Sequence, residues 1–149
     1  MYNIYAPSLI TQDLNMYCIS TYKKLLTNLP DSYSTTLTWV SKICTEETKA
    51  GNNIIFCNQL KFKFSIEKLS SDDIAIQVDE LVNRDFLFIY LQLIQDDLNN
   101  KKEEYNIRDS LLYIRVPVIP IYLQKKIISD IKLNIITDSC IEKLISYNN

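Results

Sequence analysis

Apolar residues recur along this chain with two different periods. Between Thr11 and about Asn28, the residues Leu14, Tyr17, Cys18, Thr21 and Leu25 fall at three- and four-residue intervals, the spacing of one face of an amphipathic helix. Pro30 and Asp31 interrupt it. Beyond them, Leu37, Val40, Ile43 and Cys44 line one side of SYSTTLTWVSKICTEETKAG, and Gly51 stands where a helix would end. Two helices joined by so short a turn are expected to pack antiparallel. Such a pair needs a further layer on which to bury its apolar face.

The period changes to two in LKFKFSIEKL, where Leu60, Phe62, Phe64 and Ile66 alternate with Lys61, Lys63, Ser65 and Glu67. A polar LSSDD turn leads into Ile74, Ile76 and Val78, so the local expectation is a β-hairpin. The stretch FLFIYLQLI within residues 84–98 fits either a helix or a buried strand, and its length and charged ends favour the helix. KKEE at 101–104 reads as a solvated linker or frayed turn. SLLYIRVPVIPIY has strand content, with Pro117 marking an edge or strand end because proline cannot donate to a ladder. YLQKKIISDIKLNII is helical in part, and Ser139 with Glu142 suggests a capping box opening a last helix with Ile141, Leu144 and Ile145 on its apolar face. The expected fold is α+β: one compact domain over residues 1–149, with an N-terminal antiparallel helical pair packed with a small antiparallel sheet and C-terminal helices.

Composition narrows the chemistry. The 149 residues are 47% hydrophobic, enough for one sizeable core. Sixteen basic against 18 acidic side chains leave a formal charge of -2, so no general positive field draws in a phosphate backbone. With one glycine, Gly51, the chain cannot build a Gly-rich phosphate loop. The absence of histidine removes the usual neutral-pH proton shuttle and the Ser/His and Cys/His nucleophile systems. Cys18, Cys44, Cys57 and Cys140 are scattered without a CxxC and read as ordinary reduced thiols. No apolar run has the length of a membrane span, and the opening MYNIYAPSLITQDLN lacks the layout of a signal peptide, which favours an intracellular, cytoplasmic location. Abundant Ile, Asn, Lys and Tyr suggest an AT-rich genome such as that of a virus or parasite.

Three groups of residues carry candidate chemistry. Pro30-Asp31 followed by Glu47-Thr48-Lys49 loosely echoes the PD…(D/E)xK spacing of metal-dependent nucleases, but a turn aspartate and solvated helix charges account for the same residues. Lys61 and Lys63 share one strand face, and Lys23, Lys24, Lys125 and Lys126 are cations that folding could bring beside them for phosphate contacts. Glu67 shares that face, however, and Phe62 and Phe64 project oppositely, where they cannot stack bases beside the lysines. Tyrosine occurs 10 times, and Tyr17, Tyr22, Tyr33 and Trp39 are the candidate anchors for a protein surface on the helical pair.

The sequence thus points to a non-enzymatic protein–protein interaction module without a cofactor or metal site, of the kind used as a viral accessory or host-modulating factor. A host protein or a second copy of the chain is the expected partner, and nucleic acid is disfavoured. The alternatives are a self-assembling structural protein, a nucleic-acid-binding module and a metal-dependent nuclease.

Overall fold

The computed structural model describes residues 16–44, 53–58, 61–63, 74–101, 111 and 113–148. Among them lie α1 (Met16–Thr27), β1 (Ser34–Thr36), the single turn α2 (Leu37–Val40), β2 (Ser41–Cys44), β3 (Ile54–Asn58), β4 (Lys61–Lys63), β5 (Ile74–Val78), α3 (Arg84–Lys101), β6 (Arg115–Pro117), α4 (Ile121–Leu133) and α5 (Asp138–Asn148). The fold is α+β.

The expected helical pair does not form. Only its first member, α1, is a helix; a 3-10 turn at Asp31–Tyr33, two short strands and the four-residue α2 replace the second. Thr35, Thr36, Thr38, Val40 and Ile43 are β-branched, with side chains that are stiff in a helix and pack well on a pleated surface. A helix-like spacing of apolar residues survives because Leu37 and Val40 bury from α2 while Ile43 packs from β2. The position of Gly51 lies outside the described residues.

The strands form two antiparallel sheets, a four-stranded one in the order β2-β5-β3-β4 and a ribbon of β1 with β6. This corrects the expected hairpin. β4 pairs with β3, through Phe56↔Lys63 and Asn58↔Lys61, and β5 inserts between β2 and β3 instead of pairing with β4. The run IIFCN explains the difference: Ile54, Ile55, Phe56 and Cys57 are all buried, so β3 is a central strand apolar on both faces and serves both neighbours. Phe62 is buried and Lys61 exposed, as the alternation requires, whereas Phe64 lies outside the described residues. The edge of β4 is partly covered, since the Phe62 N–H donates to Gln95 Oε1 of α3 at 3.1 Å.

α3 is the element around which the rest packs. Six consecutive residues, Phe86 to Leu91, are buried, so this part of the helix is enclosed on every side. That all-round burial is why its sequence resembles a buried strand. Asn83 caps it, its Oδ1 accepting from the Asp85 and Phe86 N–H groups at 2.8 and 3.2 Å. The Asn83 N–H in turn donates to Oε1 of the buried Gln124 in α4 at 2.7 Å, fixing α4 against the start of α3. α4 ends on Asn134 in the left-handed region (φ 58, ψ 43), with the Asn134 N–H bonded to Ile131 O and the Ile135 N–H to Asp130 O, the Schellman pattern. α5 begins at Asp138, where Cys140 and Ile141 donate to Thr137 O. Thr137 therefore holds the cap position, two residues before Ser139, and its third helical residue is Cys140 instead of the Glu a capping box requires.

Candidate nucleic-acid interface

Helical phase divides α4 into two faces. Leu123, Gln124, Ile127, Ile128, Asp130 and Ile131 are buried, and the remaining arc presents Tyr122, Lys125, Lys126, Ser129 and Lys132 to solvent. No carboxylate is exposed on this helix. Its one acidic residue, Asp130, is 0% exposed. There it accepts a hydrogen bond at 2.7 Å from the hydroxyl of Tyr22 in α1, and its Oδ1 faces Lys126 Nζ at 3.3 Å as an ion pair without a hydrogen bond. Lys126 is thus engaged locally, and Lys125 and Lys132 are the outward cations. Lys132, in the last turn, also complements the negative end of the helix dipole. Beside these two lysines a groove of about 440 Å³ runs between α4 and the start of α3, lined also by Asn83, Asp85 and Ser129.

Aromatic rings continue this face at its N-terminal end. Lys143 of α5 sits 4.4 Å from the Tyr122 ring centroid and donates to the Tyr122 hydroxyl at 3.3 Å. The Tyr147 and Tyr33 rings pack at a centroid distance of 4.5 Å and an interplanar angle of 48°. The Tyr147 phenol is pushed up by burial first, then by Tyr122 and Tyr33. Tyr33 leads directly into the β1–β6 ribbon, where the Arg115 guanidinium donates to Ser34 O and Ser34 Oγ at 3.0 and 2.8 Å. Cations and π-faces thus alternate from α4 through α5 to the ribbon, the combination that holds a phosphate backbone and its bases.

The buried side of α4 is polar at two points, Gln124, which binds the start of α3, and Asp130. The Tyr22 hydroxyl donates to Asp130, and its phenol is pushed well up by burial and by that bond. The Cys140 thiol is raised to about 11, by burial first and the Asp130 carboxylate second, and Cys18 is raised for the same two reasons. These groups tie α1, α4 and α5 together and hold the lysine face outward.

Tyr22 is therefore corrected as a surface anchor: it is 0% exposed, because its ring fills the core while its hydroxyl serves Asp130. The other three aromatic candidates are at the surface but apart. Tyr17, on α1, lines a groove of about 510 Å³ with Lys24, Asn28 and Ile141; Tyr33 joins Tyr147; Trp39 projects from α2. Lys61 and Lys63 lie on the edge strand β4 of the four-stranded sheet, whereas Lys125 and Lys126 belong to α4. Asp31 is exposed in the 3-10 turn, and Glu47 and Lys49 lie outside the described residues. Among the described residues, no group of three or more Cys, Asp or Glu side chains is placed to hold a metal ion. Sequence reasoning missed Tyr122, Lys132, Lys143, Tyr147 and Arg115. Their signal was the helical phase of Tyr122, Lys125, Ser129 and Lys132, with Asp130 on the buried side of it.

No family model and no curated protein matches the chain. Its fold is similar to that of a solved structure, the HsdS subunit from Thermoanaerobacter tengcongensis, with a TM-score of 0.60 and 9% sequence identity. The match covers 89% of this chain and 44% of that one, so the chain spans less than half the length of the protein it resembles. HsdS is a bacterial DNA-specificity subunit. Two expectations are thereby corrected: the assignment to a viral, host-interacting protein, and the placing of nucleic acid among the disfavoured partners. The second rested on the net charge, which sums over the whole chain, and on Lys61 and Lys63, whose strand face also carries Glu67 and lacks Phe62 and Phe64. A ligand contacts one face of a protein, and α4 exposes no acid: among the described residues the exposed acids are Asp31 in the 3-10 turn, Asp79 and Glu80 before α3, Asp96 and Asp97 toward its end, and Asp138 and Glu142 on α5.

Proposed function

We propose that the chain is a DNA-binding module that acts by binding, without turnover of its own. The observation that carries this reading is the exposed face of α4, where Lys125 and Lys132 share a helix face that exposes no carboxylate of its own and Tyr122 and Lys143 continue the same surface. Lysines neutralise phosphates and release counterions, which gives affinity without sequence choice. Tyrosines add base contacts. The fold likeness to HsdS supports the same reading. A chain without histidine, with no metal-ligand cluster among its described residues, suits binding better than hydrolysis. Among the described residues no helix is long and apolar enough to cross a membrane, and an intracellular location follows from the proposed ligand.

The test is fluorescence anisotropy with labelled DNA at low salt. The wild type binds, a Lys125→Ala/Lys132→Ala/Lys143→Ala variant with unchanged circular dichroism binds at least tenfold more weakly, and Lys61→Ala on the edge strand binds as the wild type does. Equal binding by the triple variant removes the α4 face as the interface. No binding by the wild type removes DNA as the ligand.

A further inference from the structure

Two of the most exposed aromatic side chains stand at one end of the β1–β6 ribbon. Trp39 is 76% exposed and Tyr113 is 74% exposed. The Leu37 N–H donates to Ile114 O at 2.8 Å, one step beyond the Thr36↔Arg115 pair. The chain leaving β1 toward Trp39 and the chain entering β6 from Tyr113 therefore meet at the same tip. At the opposite end the Val118 N–H donates to Tyr33 O, next to the Ser34↔Pro117 pair, which places Tyr33 and its partner Tyr147 there. Three residue pairs, about 10 Å of strand, separate the two aromatic groups. Arg115 bridges that interval, its guanidinium reaching back to Ser34. On the sheet side the tip is bounded by an acidic loop, since the Asp79 N–H donates to Val40 O at 2.7 Å.

We infer that the ribbon tip is a base-stacking site, and that the form of DNA this surface prefers is the single strand. The rings of Trp39 and Tyr113 take the faces of unpaired bases, while Arg115 and Lys143 meet the phosphates. The inference rests on the reading of the chain as a DNA-binding module and deepens it. In a duplex each base face is already covered by its neighbours, and a protein ring reaches it only after unstacking. In a single strand the faces are open, and because every base has one, such contacts are tolerant of sequence. The tip lies about 10 Å of strand from Tyr33 and its partner Tyr147, a span of a few nucleotides, so one strand can engage the tip and the α4 face together.

Trp39 is the only tryptophan in the chain, so its emission reports stacking directly. The full chain is titrated with an oligothymidylate of about 15 nucleotides, near the upper end of single-strand site sizes, and with a blunt duplex of equal length. The single strand is expected to quench Trp39 emission and to bind at least fivefold more tightly than the duplex. In anisotropy, Trp39→Ala weakens single-strand binding about tenfold, the effect of losing one stacked base, while Trp39→Phe retains most of it and duplex binding is unchanged. DNA binding that depends on Lys125 and Lys132 but leaves Trp39 emission and the Trp39→Ala affinity unmoved overturns the stacking site alone. Absence of binding to either form overturns both this inference and the DNA reading.

Discussion

Replacing Tyr22 with phenylalanine removes one oxygen from the bond that joins α1 to α4 and leaves the ring that fills the core in place. The hydroxyl donates to Asp130 Oδ2 at 2.7 Å, and Asp130 is 0% exposed, so no solvent donor replaces it. What remains for the carboxylate is the Lys126 ammonium, 3.3 Å from the other oxygen. A hydrogen bond to a charged buried group contributes about 1.5–3 kcal/mol, and its loss strands the acceptor. For a protein near 150 residues, each kcal/mol moves the melting temperature by about 2–4 °C, so Tyr22→Phe is expected to lower Tm by roughly 5–10 °C. Thermal denaturation by circular dichroism at pH 7 measures it. The double variant Tyr22→Phe/Asp130→Asn should cost less than the two single changes added together, because each removes the same contact. A Tm shift below about 1 °C for Tyr22→Phe, or strict additivity in the cycle, would refute the placing of this bond at the centre of the helical layer.

Two further predictions concern the fold. The folded-state values of Cys140, raised to about 11, and Tyr90, raised to about 12, lie above those of the free groups. Tyr22 is raised as well. The folded state therefore holds more protons than the unfolded one in alkali, and ∂ΔG/∂pH is negative there. This contribution to stability is complete below about pH 9 and is lost as pH rises toward 12, so Tm measured under reducing conditions should be level from pH 7 to 8.5 and fall above pH 9; a Tm constant to pH 11 would contradict the burial of these groups. On the edge strand, Phe62→Ala should cost about 3–5 kcal/mol by urea denaturation, since Phe62 is 5% exposed, whereas Lys61→Ser should change stability by less than about 0.5 kcal/mol. Equal effects would mean that β4 does not present alternate faces.

How much of this was legible in the sequence depended on where the decisive contact lay. α1, α4 and α5 could be read because each keeps one wet face, so that period 3.6 survives in the letters. α3 was ambiguous for the opposite reason: enclosed on all sides over residues 86–91, it shows no polar stripe there, and only its length and charged ends separated it from a strand. The strand character of Lys61 and Phe62 was visible in the alternation, but its partner was not. Pairing of β4 with β3, and insertion of β5 between β3 and β2, are long-range choices that depend on β3 being apolar on both faces. The second helix failed because a helix-like spacing was weighted above a run of β-branched residues. For the candidate site, phase alone locates Lys125 and Lys132 on one face. What holds Asp130 in the core, and this face without negative charge, is the contact with Tyr22, 108 residues away in sequence. Tyr33, Tyr147 and Arg115 are brought together only by the ribbon and the last helix.

The central claim, that DNA lies along the α4 face, is tested most directly by the salt dependence of binding. If Lys125, Lys132 and Lys143 each neutralise one phosphate, log K should fall with log[salt] at a slope of about -2.7 on duplex DNA, and at about -2.8 on a single strand, where Arg115 adds a fourth. Between 50 and 200 mM salt, that is a loss of about 40-fold on the duplex. Removing Lys125 and Lys132 together should reduce the duplex slope to about -0.9, with the melting temperature unchanged. A wild-type slope near zero, or a slope that the Lys125→Ala/Lys132→Ala variant leaves as it was, would contradict the account.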